Sequence, residues 1–230
     1  LNNPKAIIEF IDSDIREGYF NPRWVIDPVG AILWFQEIEV AKLVYHRPHG
    51  GRLNAFITPF ISIFDHPSIN PLKKLLYFLS GEIAGTLNFW LSVPFKQNFG
   101  IEMKILTSLA LNKVNLLANG NDLRHVIQVF MGEMDHKHSA LRSTGKVKGL
   151  DAMAKEVFQA FLEDLAEEGL VRLDQGLIFS DRLQISTVTP HAGGGEEIGT
   201  PSKLDIPSHE KTFSPLKNLP EIKALCPWLK

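Results

Sequence analysis

The sequence predicts an α/β domain with a helical C-terminal part. Two observations carry this prediction: short continuous apolar runs of strand length, and longer segments whose apolar residues recur at helical spacing. The two patterns alternate along the chain, which favours an open sheet covered by helices. We expect the sheet-containing part in residues 1–145, a helical part in residues 146–184 and an extended tail in residues 185–230.

The first predicted elements are a strand, a helix and a second strand. Residues 5–11 are an apolar run closed by Asp-Ser-Asp, which is typical of a buried strand. Residues 21–36 predict a helix that Pro28 interrupts or restarts, because proline has no amide hydrogen to donate. Residues 38–45 are rich in β-branched and other apolar side chains, which predicts another strand.

Helices then become more frequent along the chain. We expect an apolar helix over residues 53–64, broken by Pro59, and a short helix near residues 86–92. A broad apolar stripe predicts a helix over residues 100–112. The remaining predictions are strands over residues 114–117 and 125–131 and an amphipathic helix over residues 149–168.

Composition limits the function. The 230 residues carry a formal net charge of -2, which argues against a nucleic-acid-binding protein, since such proteins usually present a strongly basic face. The single cysteine, Cys226, excludes an internal disulfide framework and fits a reducing, cytoplasmic compartment. No apolar run reaches the roughly 18–20 residues that span a bilayer. The chain starts at Leu1 without a signal-peptide pattern, and we expect further residues to precede it.

An acidic triplet, Asp12-Ser13-Asp14, follows the first predicted strand. Two carboxylates one residue apart can face one divalent cation, and Mg²⁺ and Mn²⁺ prefer oxygen ligands. His136, much later in the chain, could complete such a site because imidazole binds Mn²⁺. On residue types alone, a turn at the triplet and a surface loop around His136 are open alternatives.

Three glycine-containing segments carry polar side chains. Gly50-Gly51-Arg52 could bind an anion through backbone amides and a guanidinium group, or could simply form a turn. Ser80-Gly81-Glu82 and Phe99-Gly100-Ile101-Glu102 each place a carboxylate after a glycine at an element boundary. Such a carboxylate can accept hydrogen bonds from sugar hydroxyls, or it can favour the first turn of a helix.

These segments agree in order and interval with the motifs of one enzyme family. The motifs are Ile7–Ile11 with Asp12-Ser13-Asp14, Ala41–Pro48, Gly50–Leu53, Leu79–Glu82, Pro94-Phe95 with Phe99–Glu102, and Gln128–Gly132 followed by His136. On these motifs the chain resembles the retaining glycosyltransferases of the glucosyl-3-phosphoglycerate synthase type over about residues 6–165. The resemblance implies a GT-A fold, in which a nucleotide-binding portion would precede the acidic triplet.

The resemblance implies a metal site and a catalytic residue. Asp12, Asp14 and His136 match the residues that hold the family's cation, which implies Mg²⁺ or Mn²⁺ as cofactor. Glu102 matches the glutamate close to the reacting sugar and acceptor, and is the expected catalytic residue.

The resemblance also implies two substrates. A nucleoside-diphosphate hexose would be the donor, and a small phosphorylated or carboxylate compound, such as 3-phosphoglycerate or glycerate, would be the acceptor. The matching residues are Lys42, Ser80, Gly81 and Glu82 for the donor sugar, and Gly51, Arg52 and Asn54 for the acceptor. Arg47 matches a further basic position near the centre of the site.

Two departures from the family pattern concern the acceptor. Asn54 stands where the family usually has threonine, whose hydroxyl helps to hold the acceptor phosphate. Ser139 stands where the family often has arginine, so one positive charge is lost. Both changes affect acceptor recognition rather than the transfer chemistry.

Two alternatives come from other functional classes. Residues 151–180 have the helix-and-hairpin pattern of a winged-helix DNA-binding unit, although the helix is acidic. The chain could also be a catalytically silent relative that serves as a binding module. The transferase interpretation expects no nucleic-acid partner and no membrane span, and it leaves homodimer formation open.

Overall fold

The computed structural model describes residues 6–47, 51–111, 123, 125–136, 149–172, 188–190, 196–198 and 212–225. The strands are β1 (Ile7–Phe10), β2 (Val40–His46), β3 (Ile83–Thr86), β4 (Phe95–Lys96), β5 (Val126–Glu133), β6 (Val188–Pro190), β7 (Glu196–Ile198) and β8 (Thr212–Phe213). The helices are α1 (Arg23–Trp34), α2 (Arg52–Ser62), α3 (Leu87–Ser92), α4 (Gly100–Ala110), α5 (Leu150–Glu167) and α6 (Pro220–Leu225). None of the helices in these ranges combines the length and the apolarity that a bilayer crossing requires.

Most predicted elements are confirmed, with small shifts at their ends. The predicted strands over residues 5–11, 38–45 and 125–131 correspond to β1, β2 and β5. The helices predicted near residues 86–92 and over residues 100–112 and 149–168 correspond to α3, α4 and α5. The strand predicted over residues 114–117 lies outside the described residues.

A four-stranded sheet with the order β1-β3-β2-β5 lies at the centre of the fold. β3 is antiparallel to both β1 and β2, whereas β2 and β5 are parallel. β1, β2 and β5 therefore point in the same direction. Their carboxyl ends share one edge of the sheet with the start of β3, which brings together chain segments that are far apart in sequence.

The largest apolar cluster lies between α2, α4 and α5. Its most buried members include Ile57, Ile61, Met103, Leu106, Phe161 and Leu165. Their spacing gives each helix one apolar face, as an amphipathic helix requires. Because α5 is packed in this core, it does not stand free as the recognition helix of a winged-helix unit would.

Both prolines that were expected to break a helix lie inside continuous helices, so these two predictions are wrong. Pro28 is in the middle of α1, and Pro59 is inside α2. An interior proline removes one backbone hydrogen bond and costs about 3 kcal/mol. In α1 the buried side chains of Trp24, Pro28 and Ile32, spaced four residues apart, form one packed face that offsets this cost.

The predicted extended tail contains regular structure in its described parts. β6 and β7 pair with each other, and β8 pairs antiparallel with β4. The pairing of β8 with β4 brings the tail back to the segment that immediately precedes α4. The boundaries at residues 145 and 184 stay predictions.

A buried ionic cluster joins α5 to β4 and α4. Lys104 and Thr107 both donate to the carboxylate of Asp164, and Lys96 Nζ lies 3.6 Å from Asp164 Oδ1. All four side chains are buried. Removing one partner of a buried ion pair leaves an uncompensated charge in the interior, so the four residues depend on one another.

Replacing Asp164 with asparagine is expected to lower the free energy of unfolding by about 3 kcal/mol, because two buried lysines would lose their fully buried counter-charge and keep only the partly exposed Glu163 and Glu167. Urea unfolding followed by circular dichroism measures this loss. Glu167→Gln is the matched control: Glu167 also pairs with Lys104, but its side chain is 48% exposed. Such an exposed pair contributes at most about 1 kcal/mol. Equal losses for the two variants would contradict the prediction.

Candidate functional site

The segments singled out in the sequence meet at one edge of the sheet. Asp12 and Asp14 follow β1, Glu82 immediately precedes β3, and His136 follows β5. An isolated antiparallel bridge between Ile15 and His136 joins the loop after β1 to the loop after β5. The sheet topology alone therefore places three carboxylates and one imidazole close together.

Both ring nitrogens of His136 face carboxylates. Nδ1 lies 3.7 Å from Asp12 Oδ2 and 3.6 Å from Asp14 Oδ1, and Nε2 lies 3.3 Å from Glu82 Oε1. Asp12, Glu82 and His136 each offer a ligand atom, and these atoms lie within 4.8 Å of one another. Asp14 and His136, which the sequence pairs across a long interval, are neighbours in the fold.

Glu82 lies on the inner side of the His136 ring. Its side chain is completely buried, whereas those of Asp12 and Asp14 are 43% and 50% exposed. Tyr45 Oη donates to Glu82 Oε2 at 2.6 Å. Glu82 Oε1 and His136 Nε2 are buried and have no hydrogen-bond partner in good geometry within the described ranges. A small rotation would let Nε2–H donate to Glu82 and leave Nδ1 available to a cation.

Burial and the neighbouring charges change the pKa values of the carboxylates at this edge. Burial and then the charge of Glu82 raise the pKa of Asp12 to about 6, although His136 opposes the rise. Burial and Glu82 also raise the pKa of Glu9 to about 7. For Glu82 itself, burial acts to raise the pKa, but His136 and Tyr45 hold it below its usual value. A divalent cation would neutralise this excess of negative charge.

Asp12 is packed against the backbone of Gly81. A Cβ atom on residue 81 would collide with the Asp12 carboxylate, so only glycine leaves room for that carboxylate in its present place. The glycine of the Ser80-Gly81-Glu82 segment is therefore required by a close approach to the acidic triplet.

Gly81→Ala is expected to displace the Asp12 carboxylate and to weaken Mn²⁺ binding by about 10-fold, the lower end of the effects seen when supports of metal ligands are changed. Isothermal titration with Mn²⁺ measures the affinity. Gly30→Ala is the control, because a Cβ atom at Gly30 of α1 would meet no atom within 4 Å. Unchanged Mn²⁺ affinity in a folded Gly81→Ala protein would show that Asp12 does not depend on this glycine.

Lys42 fixes the segment that contains Gly81 to the central strand. Its buried Nζ donates to Ser80 Oγ at 2.8 Å and to the Ser80 carbonyl at 3.1 Å, and Ser80 Oγ donates to the Leu43 carbonyl at 3.0 Å. Burial lowers the pKa of Lys42 to about 8, and the charge of Glu102 opposes this shift. Contact of Lys42 and Ser80 with a donor sugar stays a prediction.

Two neighbouring cavities open at this edge. The larger, about 410 Å³, is polar and includes Asp14, Arg47, Arg52, Tyr77 and His136 in its wall. The smaller, about 200 Å³, is mainly apolar and includes Phe10, Trp90, Ile105 and Lys42. Asp12 and Glu102 line both cavities. Burial raises the pKa of Glu102 to about 7, against the opposing charge of Lys42. Glu102 is thus placed to contact molecules in either cavity.

The residues predicted for the acceptor lie in the wall of the larger cavity at the start of α2. Gly51 precedes the helix with a φ of 77°, a left-handed conformation that favours glycine, and Arg52 is its first residue. Asn54 Oδ1 accepts from the Leu79 amide at 3.0 Å, and Asn54 Nδ2 donates to the Leu79 carbonyl at 3.4 Å. Asn54 therefore supports the backbone before Ser80, and its contact with an acceptor stays a prediction.

Sequence reasoning gave no role to two tyrosines of the larger cavity, Tyr45 and Tyr77. Tyr45 lies in an apolar strand and Tyr77 in an apolar run, so neither has a distinguishing pattern. The fold places the Tyr45 hydroxyl beside Glu82 and the Tyr77 hydroxyl beside Gly51, and only these contacts assign the two tyrosines to the site. Gly50 and Ser139 lie outside the described residues.

No family model matches the chain. The chain is similar to the glucosyl-3-phosphoglycerate synthase of Petrotoga mobilis, with 27% identity over 224 residues that cover 90% of this chain and 62% of the relative. The glucosyl-3-phosphoglycerate synthase of Mycolicibacterium smegmatis is 30% identical over 110 residues, which cover 44% of this chain and 35% of the relative. The chain thus spans less than two thirds of the length of these relatives.

Solved structures share the fold. A mannosyl-3-phosphoglycerate synthase from Rubrobacter xylanophilus has a TM-score of 0.65 at 22% identity, over 93% of this chain and 62% of its own. A glucosyl-3-phosphoglycerate synthase from Mycobacterium tuberculosis, in complex with Mn²⁺, UDP-glucose and phosphoglyceric acid, has a TM-score of 0.59 at 22% identity, over 92% and 60%. In sequence this chain resembles the glucosyl-3-phosphoglycerate synthases, and it has a GT-A-like α/β fold, as the order of its motifs predicts.

Proposed function

We propose that this chain contributes the cation, sugar and acceptor sites of a metal-dependent, retaining glycosyltransferase. The enzyme would move a hexose from a nucleoside-diphosphate sugar to a small anionic acceptor such as 3-phosphoglycerate or glycerate. One observation carries the proposal. The carboxylates of Asp12 and Asp14 both lie less than 4 Å from His136 Nδ1, beside a cavity that Glu102 also lines. The similarity to glucosyl-3-phosphoglycerate synthases supports the class of substrates.

The donor atoms at the sheet edge fit Mg²⁺ or Mn²⁺. Asp12, Asp14 and His136 would hold the cation with carboxylate oxygens and an imidazole nitrogen, a donor set that suits Mn²⁺ well. Burial and then the charge of Glu82 raise the pKa of Asp12, and a bound cation would favour its ionised form against both effects. When bound, the cation would neutralise charge on the departing diphosphate.

Glu82 would orient the His136 ring. Its buried Oε1 faces Nε2, and its other oxygen is held by Tyr45. A carboxylate in this position favours the tautomer with the proton on Nε2, so that the lone pair on Nδ1 points towards Asp12 and Asp14. Contact of Glu82 with the donor sugar, which the motif order suggests, stays a prediction beside this positioning role.

The remaining chemistry depends on how the two substrates are held. In a retaining transfer without a covalent intermediate, the acceptor oxygen attacks the anomeric carbon from the side that the diphosphate leaves. The bond to the diphosphate breaks as the new glycosidic bond forms, and the acceptor proton passes to the departing phosphate oxygen. Placing the reacting atoms in contact then supplies much of the rate. Glu102 could accept hydrogen bonds from hydroxyls of both substrates, because it lines both cavities.

The test is a transfer assay with the intact protein. UDP-, GDP- and ADP-linked hexoses are each offered with 3-phosphoglycerate or glycerate, with Mn²⁺, with Mg²⁺ or with EDTA. We expect transfer from at least one donor, only with a divalent cation, and retention of the anomeric configuration in the product by NMR. A folded protein that turns over none of these donors would be the silent relative, and the proposal would fail.

A further inference from the structure

The larger cavity contains two buried polar atoms that have no hydrogen-bond partner in good geometry in the described part of the chain. They are the phenolic Oη of Tyr77 and the Nε of Arg47. Both residues line the cavity together with Gly51 and Arg52. A buried donor without a partner costs about 1–3 kcal/mol. Two such donors in the wall of one polar cavity therefore indicate a ligand group that they would meet.

Tyr77 is held directly over the first turn of α2. A Cβ atom on Gly51 would lie 3.4 Å from Tyr77 Oη, so the hydroxyl is close to the start of the helix. The Tyr77 ring packs on Tyr45, with 4.9 Å between the ring centroids, and the Tyr45 hydroxyl donates a hydrogen bond to Glu82. The phenol is thus positioned by the same side chains that support the candidate metal site.

The O–H proton of Tyr77 remains available to a ligand, because the side chains of Arg47 and Asn54, whose hydrogen bonds lower its pKa, can only donate to the phenolic oxygen. Asn54 uses both ends of its amide on the Leu79 backbone. Tyr77 is two residues before Leu79, so the loop that Asn54 fixes is the loop that carries the phenol. The amide of Asn54 therefore stabilises the position of Tyr77.

The groups around Tyr77 have the charge that an anion requires. Burial raises the pKa of the Tyr77 phenol, and Arg47 and Asn54 only partly oppose the rise, so the phenol remains a neutral donor near pH 7. Arg47 and Arg52 add two guanidinium groups to the same cavity wall. A phosphate group presents several oxygens in different directions and can accept from all three side chains, whereas a hydroxyl group cannot.

We propose that Tyr77 donates a hydrogen bond to the phosphate of a phosphorylated acceptor, together with Arg47 and Arg52, and so determines acceptor specificity. The identity of that ligand as the acceptor rests on the proposed glycosyltransferase function. The contact itself depends only on the arrangement of these side chains in the cavity.

The test compares Tyr77→Phe with the unaltered protein for two acceptors. We expect the KM for 3-phosphoglycerate to rise about 10-fold or more, the effect of losing a hydrogen bond to a charged group. The KM for glycerate, which lacks the phosphate, and the KM for the nucleotide sugar should stay the same. Tyr19→Phe is the matched control, because Tyr19 precedes α1 and does not line the cavity. Arg47→Lys, which keeps the charge but removes Nε, is the second variant and should show the same selectivity for 3-phosphoglycerate.

Binding measured without a donor separates this inference from the proposed function. Isothermal titration with 3-phosphoglycerate gives a Kd for each variant, and circular dichroism verifies that each is folded. Weaker binding by Tyr77→Phe in a protein that transfers no sugar would support the contact and contradict the transferase. An unchanged Kd and KM in Tyr77→Phe, or no binding of 3-phosphoglycerate by the unaltered protein, would overturn the inference.

Discussion

Replacing His136 with alanine is expected to reduce metal-dependent sugar transfer by about 1000-fold, because a bound cation contributes several kcal/mol to stabilising the departing charge. The imidazole contacts carboxylates through both nitrogens, so its removal affects every proposed ligand at once. Mn²⁺ titration should show a parallel loss of affinity. Metal-dependent transfer at an unaltered rate in His136→Ala would make the site assignment wrong.

Glu82→Gln is the companion variant for His136. Because Glu82 is proposed to act through the ring, we expect Mn²⁺ affinity to fall by about 10–100-fold, a smaller loss than for the ligand itself. The ¹⁵N NMR signals of His136 in the metal-free protein should also show less of the Nε2–H tautomer. A loss as large as that of His136→Ala, without a change of tautomer, would identify Glu82 as a direct ligand.

Glu102→Gln is expected to lower kcat by about 100-fold, because Glu102 is proposed to position hydroxyls of both substrates and a misplacement of reacting groups has an effect of that size. The carboxylate lines both cavities, so the amide keeps the shape of the residue and removes the charge. The KM values for donor and acceptor should change much less than kcat. If only the KM for the acceptor changed, Glu102 would contribute to acceptor binding and not to the transfer step.

The pH dependence of kcat/KM tests the same residue. The pKa of Glu102 is raised to about 7, so its carboxylate forms, and activity rises, as the pH increases through 7. The pKa of Lys42 is lowered to about 8, so its positive charge, and the support it gives to Ser80, is lost above that pH. We expect a bell-shaped profile with its maximum between these values. Glu102→Gln should remove the acidic limb and move the basic limb to lower pH, because the charge of Glu102 raises the pKa of Lys42. Persistence of the acidic limb would assign it to another group.

Periodicity and apolar runs were sufficient to predict most of the sheet and helices. Residues 38–45 form β2, buried along almost its whole length, because a continuous apolar run is what a central strand needs. The prediction that Pro28 breaks the helix was wrong because packing of the α1 face around Trp24 outweighs the local backbone preference of proline. Such packing depends on residues that are distant in sequence, so a local sequence pattern does not predict it.

The site was predictable only where residues occur in recognisable motifs. The approach of Asp14 to His136 was expected from motif order, and the fold brings them within 3.6 Å. The placement of Glu82 behind the ring depends on the pairing of β3 with β2, and a short polar segment in the sequence does not reveal it. The two hydrogen bonds of Asn54 to Leu79 likewise depend on how α2 packs, which residue type alone does not determine.

The strand order β1-β3-β2-β5 also has a consequence for folding. Asp12, Glu82 and His136 come from chain segments of high sequence separation, so they meet only after slow, non-local strand pairing is complete. A cation that binds these residues would bind the native state and not the unfolded chain, and would stabilise the entire sheet by mass action. Amide hydrogen exchange in β1, β2 and β3 should therefore slow together when Mn²⁺ is added, as expected for one cooperative unit.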